Sequence, residues 1–486
     1  MPRSRARLMA VVALALLNVL IIAAGSVLAW QLPARLARWK IPVVASRPLI
    51  RPAALLDGPG AGRAPTRAGL SARLSGLLAT AALGSHVTAV VGDPASGQVL
   101  FSRLGGSPAT PASTAKIATA VAALDVLGPG ARLRTRVVED TAAGQGAGRG
   151  PARIILVGGG DPTLAAGRAA RSQYPRPATL AALAAATARA LARQHRTAVR
   201  IGYDTSLYSG PPMAPGWAPS YVTTGNVTPI TALEVDQGRL LPDGKPQDTD
   251  DPGNLRPRSL NPAADAAAAF AGFLARDGIR VDGAARPAAV PPAAARVAQV
   301  SSPPLAAIVE QMLTESNNVI AENLARQVAL AKGAPGSFSG AAAAVTRVIR
   351  RLGAGQGVHL VDGSGLSPYD RIPAATLFRL VSLAASARHP TLRAVITGMP
   401  VAGFSGTLTR GQSVFGDPAA AARGLLRAKT GNLDTVVTLA GLVDDRDGSV
   451  LAFAFMADRL PSARDLRPAA STVDRLAAAL TGCGCR

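Results

Sequence analysis

Three short polar clusters in this sequence have residue types that could do chemistry together: Ser113-Thr114-Ala115-Lys116, Ser316-Asn317-Asn318 and Lys429-Thr430-Gly431. A serine hydroxyl becomes a useful nucleophile only when a neighbour removes its proton. Lys116 follows Ser113 by three positions, so at a helix start the two side chains share a face. A lysine serves as the base only when neutral, a state favoured by burial and by a second cation such as Lys429. The helix N-terminus adds N–H donors and positive potential where an oxyanion would form.

Ser316 and Asn318 are two residues apart, just before an expected helix, so a turn can point both into one cleft. A hydroxyl there can relay a proton to a leaving amine, and an amide can hold a peptide group. Lys429-Thr430-Gly431 leads into an expected strand, and an edge strand binds an extended peptide through its main chain. Gly431 permits close backbone approach, while Lys429 and Thr430 suit a terminal carboxylate. Taken singly, each cluster has an ordinary reading: helix surface for the first, a helix cap for the second. The ordered set, each member in a fitting context, is far more specific. Two of only five lysines (Lys40, Lys116, Lys245, Lys332, Lys429) fall within it.

With these residues the chain resembles the D-alanyl-D-alanine carboxypeptidase/endopeptidase branch of the penicillin-binding proteins, the penicillin-binding protein 4 type or peptidase family S13. The likeness covers about residues 66 to 480. It also rests on Pro111-Ala112 ahead of Ser113, on Gly159-Gly160-Asp161-Pro162-Thr163-Leu164 and on Asp362-Gly363-Ser364-Gly365-Leu366-Ser367. Roughly two hundred residues separate the first two motifs, a gap that in this family holds an inserted region.

The resemblance implies a β-lactamase/transpeptidase-like α/β (α+β) fold: an antiparallel sheet flanked by helices, an all-α lobe, and a domain inserted between the first two motifs. It implies that Ser113 is acylated by the penultimate D-alanine carbonyl of a peptidoglycan stem peptide, with Lys116 as base and Ser316 passing the proton onward. Asn318 would hold the substrate amide and Lys116, and Lys429 and Thr430 would bind the carboxylate. The Ser113 and Asn432 N–H groups would form the oxyanion hole, and β-lactams would be covalent inhibitors. The family often has Thr or Ser after K-T-G. Here Asn432 stands there, which keeps the N–H donor but weakens a side-chain contact to the carboxylate. The Asp362–Ser367 stretch reads as a structured turn without a chemical role.

Around these residues the chain reads as a mixed fold. Residues 87–91 and 98–101 alternate like a strand pair about the turn cluster 93–97. An Ala-rich helix is expected over 113–127, ending before Gly128-Pro129-Gly130. Residues 153–157 and 199–203 read as strands, and 177–194 and 262–276 as helices. Between them, the Pro-, Gly- and Asp-rich stretch 209–262 reads as a long loop. Helices are expected over 304–314, 319–331, 339–352 and 464–480, and strands over 435–443 and 450–457. Strands at both ends of the chain suggest one sheet assembled from distant segments. The expected organisation is a transpeptidase-like domain from 66–130 and 301–486, with a non-catalytic domain, 131–300, inserted in it.

The first thirty residues are an address. Leu8 to Trp30 is apolar but for Asn18, Gly25 and Ser26, and follows Arg3, Arg5 and Arg7. That length suffices to span a bilayer, and a basic start is an export signal. Val27-Leu28-Ala29 resembles a cleavage site, but the run suits an uncleaved anchor. The charge bias does not fix orientation, since Arg35, Arg38, Lys40 and Arg47 follow; long domains translocate regardless. Residues 31–65 read as a linker. The expected location is the cell membrane with an extracytoplasmic catalytic domain, or secretion if the segment is cleaved.

Of 486 residues, 48% are apolar, enough for a sizeable core, and the net charge is +23. That balance favours anionic partners such as lipid or wall polymers. Aromatics are only 3%, the arginines are scattered and no nucleic-acid motif occurs, so nucleic acid is set aside. His86, His195, His359 and His389 lack ligand spacing, so no metal is expected. Gly158-Gly159-Gly160 lacks the residues of a phosphate loop, and no other cofactor motif appears. Cys483 and Cys485 read as part of a frayed tail, able to pair in an oxidising compartment. Two rivals remain: a β-lactamase, against which the lack of a convincing E-x-x-x-N element counts, and an inactive wall-binding scaffold, against which the intact motifs count.

Overall fold

The computed structural model describes residues 64–140, 151–167, 173–240, 256–409 and 422–485. The expected anchor, 1–30, and almost all of the expected linker, 31–65, lie outside the described residues. Among the described residues no helix is long and apolar enough to cross a membrane.

The longer elements begin with helix α1 (Arg67–Leu78), strands β1 (Val87–Gly92), β2 (Val99–Arg103) and β3 (Pro108–Ala109), and helix α2 (Lys116–Leu127). Next come β4 (Arg134–Glu139), β5 (Ala152–Val157), α3 (Leu180–Arg193), β6 (Ala198–Asp204) and α4 (Pro262–Arg276). Strands β7 (Arg280–Val281), β8 (Arg286–Pro287) and β9 (Ala295–Ser301) precede helices α5 (Leu305–Thr314), α6 (Asn318–Ala331) and α7 (Phe338–Arg351). Strand β10 (Ile372–Pro373), helix α8 (Ala374–Ala385), strands β11 (Leu426–Leu433), β12 (Val436–Asp444) and β13 (Val450–Ala457) and helix α9 (Leu466–Thr481) complete the chain.

The first sheet has five strands in the order β11-β12-β13-β1-β2, every pairing antiparallel. Both chain ends therefore feed one sheet, as the strands expected near both ends suggest. Successive side chains point to opposite faces. Leu439, Val443, Phe453 and Phe455 pack with Leu70, Leu74, Leu476 and Leu480 of α1 and α9. Ala440, Leu442, Ala452, Ala454 and Met456 face the other way, into a core shared with α2, α5, α6, α7 and α8. With both faces covered, β12 and β13 are buried almost throughout. Helix α2 sits centrally in that lobe and is buried from Lys116 to Leu124, so its Ala-rich composition packs without a polar stripe.

The second sheet takes the order β7-β6-β5-β4-β9, with β8 also on β6. It is mixed, since β5 pairs parallel to β6 but antiparallel to β4. Ile154, Leu156, Val199 and Ile201 bury one face under α3 and α4, with Leu183, Leu191, Phe270 and Leu274. Its first and last strands, β4 and β9, pair side by side, so the chain enters and leaves it at neighbouring points.

Three sequence readings change. The K-T-G cluster lies inside β11 rather than ahead of a strand beginning at 435; Asp434 and Thr435 are the hairpin turn between β11 and β12. The long loop does not belong to the second sheet alone, because Trp217, Val227 and Ile230 pack with Val319 and Phe338 of α6 and α7. The tail is not frayed: Cys483 is buried and bonded to Cys485, whose carbonyl accepts the Thr66 N–H at 2.8 Å. Gly69 has no Cβ, and that lets the Cys485 backbone approach α1.

Candidate active site

Ser113 lies in a one-turn helix, Ala112–Ala115, that runs directly into α2. Ala112 is held at φ 45°, a left-handed conformation that costs a non-glycine residue energy. The turn aims the Ser113 hydroxyl at Lys116, whose Nζ is 2.8 Å from Oγ. The same Nζ donates to Asn318 Oδ1 at 2.6 Å and to the Ser364 carbonyl at 2.8 Å. Lys116 is 0% exposed. Burial lowers its pKa from 10.5 to about 7, while Asp362, Glu322 and Asp370 pull it back upward. Burial is thus the first cause that makes this lysine a usable base at neutral pH.

The second cluster divides its labour. Asn317 caps α6, its Oδ1 accepting the Ile320 N–H at 3.1 Å. That cap turns Ser316 and Asn318 towards Lys429 and Lys116, with Ser316 at φ 56°. Asn318 is itself anchored, since its Nδ2 donates to the Asn226 carbonyl at 2.9 Å.

Lys429 Nζ lies 2.8 Å from Ser316 Oγ and 2.8 Å from the Thr430 carbonyl. It too is buried, and burial followed by the charge of Lys116 holds its pKa well below the usual lysine value. Gly431 carries the close approach that joins β11 to the Ser113 turn. A Cβ there would fall 2.8 Å from the Pro111 carbonyl and 2.9 Å from the Ser113 nitrogen. Asn432, next along β11, is exposed.

The structure thus brings Ser113, Lys116, Ser316, Asn318, Lys429, Thr430 and Gly431 into one place. A hydroxyl touches a near-neutral amine, a second hydroxyl touches a second amine, and a strand edge passes beside both. Such an arrangement can accept a proton, pass one on and hold an extended peptide.

Four contributors are not legible in the motifs. Asn226 comes from the long loop, and Ser364 acts through its carbonyl from the stretch Asp362–Ser367, which is more than a turn. Glu322 sits behind that stretch, taking the Gly363 and Ser364 N–H groups. Thr407 puts its hydroxyl 2.7 Å from that of Thr430. Of the histidines, His86 pairs with Asp458 at 2.5 Å and Ser107 at 3.0 Å, tying strand ends together outside this cluster.

Comparison with known proteins finds relatives over most of the chain. Residues 70–256 and 246–480 match the family model of the D-Ala-D-Ala carboxypeptidase 3 (S13) family. The carboxypeptidase DacB of Mycolicibacterium smegmatis is 38% identical over 424 residues, covering 87% of this chain and 85% of that protein. Penicillin-binding protein 4 of Haemophilus influenzae superposes with a TM-score of 0.66 at 21% identity, over 84% of this chain and 97% of that one. The same Haemophilus protein complexed with a β-lactam superposes at 0.61, with 22% identity over 83% of this chain and 97% of that one. The structural likeness establishes the β-lactamase/transpeptidase-like fold, and the sequence matches establish descent: this chain belongs to the D-Ala-D-Ala carboxypeptidase 3 (S13) family.

Proposed function

We propose that the protein is a serine D-Ala-D-Ala carboxypeptidase that trims peptidoglycan stem peptides through an acyl-enzyme on Ser113. The observation that carries this is the Lys116 amine, fully buried, lowered to about 7, and 2.8 Å from the Ser113 hydroxyl. Neutral Lys116 takes the Ser113 proton as Oγ bonds to the penultimate D-alanine carbonyl. The N–H groups of Ser113 and Asn432 hold the oxyanion that forms. Ser316 donates its proton to the leaving D-alanine nitrogen and takes in exchange the one that Lys116 removed from Ser113, while Lys429, 2.8 Å away, holds the Ser316 hydroxyl in place. The C–N bond breaks, and water then hydrolyses the Ser113 ester. Asn318 orients both Lys116 and the substrate amide.

Lys429 and Thr430 bind the terminal carboxylate, whose negative charge favours the protonated form of Lys429 that burial disfavours. The edge of β11 supports action at a chain end. Its first half is already covered: the Ala402 N–H donates to Leu426 and the Ala428 N–H to Pro400. Among the described residues, Thr430 to Leu433 pair only with β12. A peptide with its carbonyl near Asn432 and its carboxylate at Thr430 runs antiparallel to β11 and must end before the covered half. An internal peptide bond fits only if its leaving side carries a free carboxylate at that point. Endopeptidase action on cross-links of that kind is compatible.

The segment 131–300 is proposed as an inserted region outside the chemistry, except where its long loop reaches Asn318. The N-terminal apolar run is proposed as an uncleaved anchor holding the catalytic part outside the cytoplasmic membrane. β-Lactams, cyclic mimics of the acyl donor, are proposed as covalent inhibitors. Mass spectrometry of the penicillin adduct tests the reading. The adduct is expected on the peptide containing Ser113 and absent from Ser113→Ala; an adduct elsewhere refutes the mechanism. Steady-state nitrocefin turnover separates the β-lactamase reading, which requires fast hydrolysis rather than a lasting adduct.

A further inference from the structure

The stretch Asp362–Ser367 is held in place by two buried carboxylates. Asp362 Oδ1 accepts the N–H groups of Ser364 at 3.0 Å and Gly365 at 2.7 Å. Its Oδ2 accepts the Ser367 N–H at 2.7 Å and the Trp217 indole N–H at 2.8 Å. Glu322 Oε1, from α6, accepts the N–H groups of Gly363 at 3.0 Å and Ser364 at 2.8 Å. The stretch then meets α2 twice: Thr119 donates to the Gly363 carbonyl at 2.6 Å and Lys116 to the Ser364 carbonyl at 2.8 Å. Gly365, at φ 78°, lies so close to the Ala112 carbonyl that no side chain fits between them. One turn therefore touches both the amine and the residue before Ser113.

We propose that Glu322 and Asp362 are positioning residues for Lys116: they clamp this turn so that the Ser364 carbonyl fixes the amine, and their charge sets how readily it gives up its proton. This rests on the reading of Lys116 as the base. Nothing in the three motifs requires either carboxylate. Both side chains are 0% exposed, so ordinary surface roles do not account for them. Neutral acceptors could hold a turn equally well, whereas carboxylates beside a base also act on its proton.

The charged groups around the pair are few. Lys116 faces Asp362, Glu322 and Asp370, and its own charge acts on Lys429. Glu322 faces Asp362 and Arg326, whose Nη1 is 3.7 Å from Oε2. Arg326 faces Tyr208, Glu234 and Asp362 in turn. Burial, then the neighbouring Asp362, hold the Asp370 carboxyl well above the usual carboxylate range, and Asp370 accepts the Val361 N–H at 2.6 Å. Burial raises the Glu322 pKa to about 7, so its negative charge builds up as pH rises through that value; removing that charge stabilises the neutral amine, so Lys116 becomes available at lower pH.

The test is the rate of penicillin acylation of Ser113 as a function of pH, with adduct position checked by mass spectrometry. In Glu322→Gln, the rate at pH 8 is expected to fall roughly tenfold as the turn loosens. The rising limb should move to lower pH, raising the ratio of rates at pH 6 and pH 8 by roughly threefold. Asp362→Asn should behave alike and serves if the first variant melts early. Thr119→Val removes a docking bond but no charge, so it should slow acylation without moving the limb. An unmoved limb in folded carboxylate variants, or an equal move in Thr119→Val, overturns the proposal. A wild-type protein not acylated at Ser113 instead overturns the reading of the site itself.

Discussion

The two sheets of this molecule use burial differently. In the five-stranded sheet, helices cover both faces, and the apolar core extends up to Lys116 and Lys429, both 0% exposed. Burying an amine disfavours its charged form, so packing there is itself a chemical instrument. In the six-stranded sheet, α3 and α4 cover one face with an apolar core. A smaller cluster of Val138, Ile155 and Val157 lies on the other face, and β9 is largely exposed. No residue of the three motifs lies in that packing. The contrast teaches that one chain can separate regions where a lost contact costs reactivity from regions where it costs only stability.

Variants can break or sharpen that contrast. The largest effect is expected from Ser113→Ala, which should lower acylation by on the order of 10⁵-fold while leaving the melting temperature unchanged. Gly431→Val is next. Its side chain would press on the Ser113 nitrogen and the Pro111 carbonyl. A displacement of about 1 Å at reacting groups costs on the order of 10²-fold, read as a fall in acylation rate.

The pH profile is third. Lys116 is lowered to about 7, is protonated and inactive below that value, and is a free base above it. Wild-type acylation should therefore rise roughly tenfold from pH 6 to pH 8, in stopped-flow measurement with a fluorescent penicillin. A flat profile would separate burial from reactivity and undo the contrast.

Thr407→Val should raise KM for a D-Ala-D-Ala peptide about fivefold with kcat little changed, and Thr407→Ser should restore it. Its hydroxyl, 2.7 Å from that of Thr430, is proposed as a further contact to the carboxylate; a kcat effect without a KM effect would reject that role. In the second sheet, Phe270→Ala should cost about 3–5 kcal/mol of stability. It should leave the acylation rate per folded molecule unchanged, measured below its melting temperature. A changed rate would show that the second sheet also sets reactivity.

The sequence revealed the chemistry where side chains carry it and concealed it where the main chain does. Ser113, Lys116, Ser316, Asn318 and Lys429 were legible because each side chain is specific and each cluster sits at an expected element boundary. Ser364 was not, because its contribution is a carbonyl, which every residue has. Glu322 reads as one more polar residue of an amphipathic helix until the Gly363 N–H appears opposite it. Strands β1, β12 and β13 announced themselves by apolar runs. Strand β9, Ala-Arg-Val-Ala-Gln-Val-Ser, is too exposed to leave such a pattern. Helix α1 also escaped: Leu70, Leu74 and Leu78 form its buried stripe among small and basic residues. The tail Cys483-Gly484-Cys485 looked loose because its main contact, the Thr66 N–H, lies at the opposite end of the domain.

The half-covered edge of β11 bears on solubility as well as on substrate. A bare strand edge is a template on which foreign strands can grow, a recurrent route to aggregation. Because the segment around Val401 closes the stretch from Leu426 to Ala428, only Thr430 to Leu433 are left without a second strand among the described residues, a short template for foreign strands. The same covering segment that would stop a bound peptide at its carboxylate thus also shortens the surface on which aggregation could start.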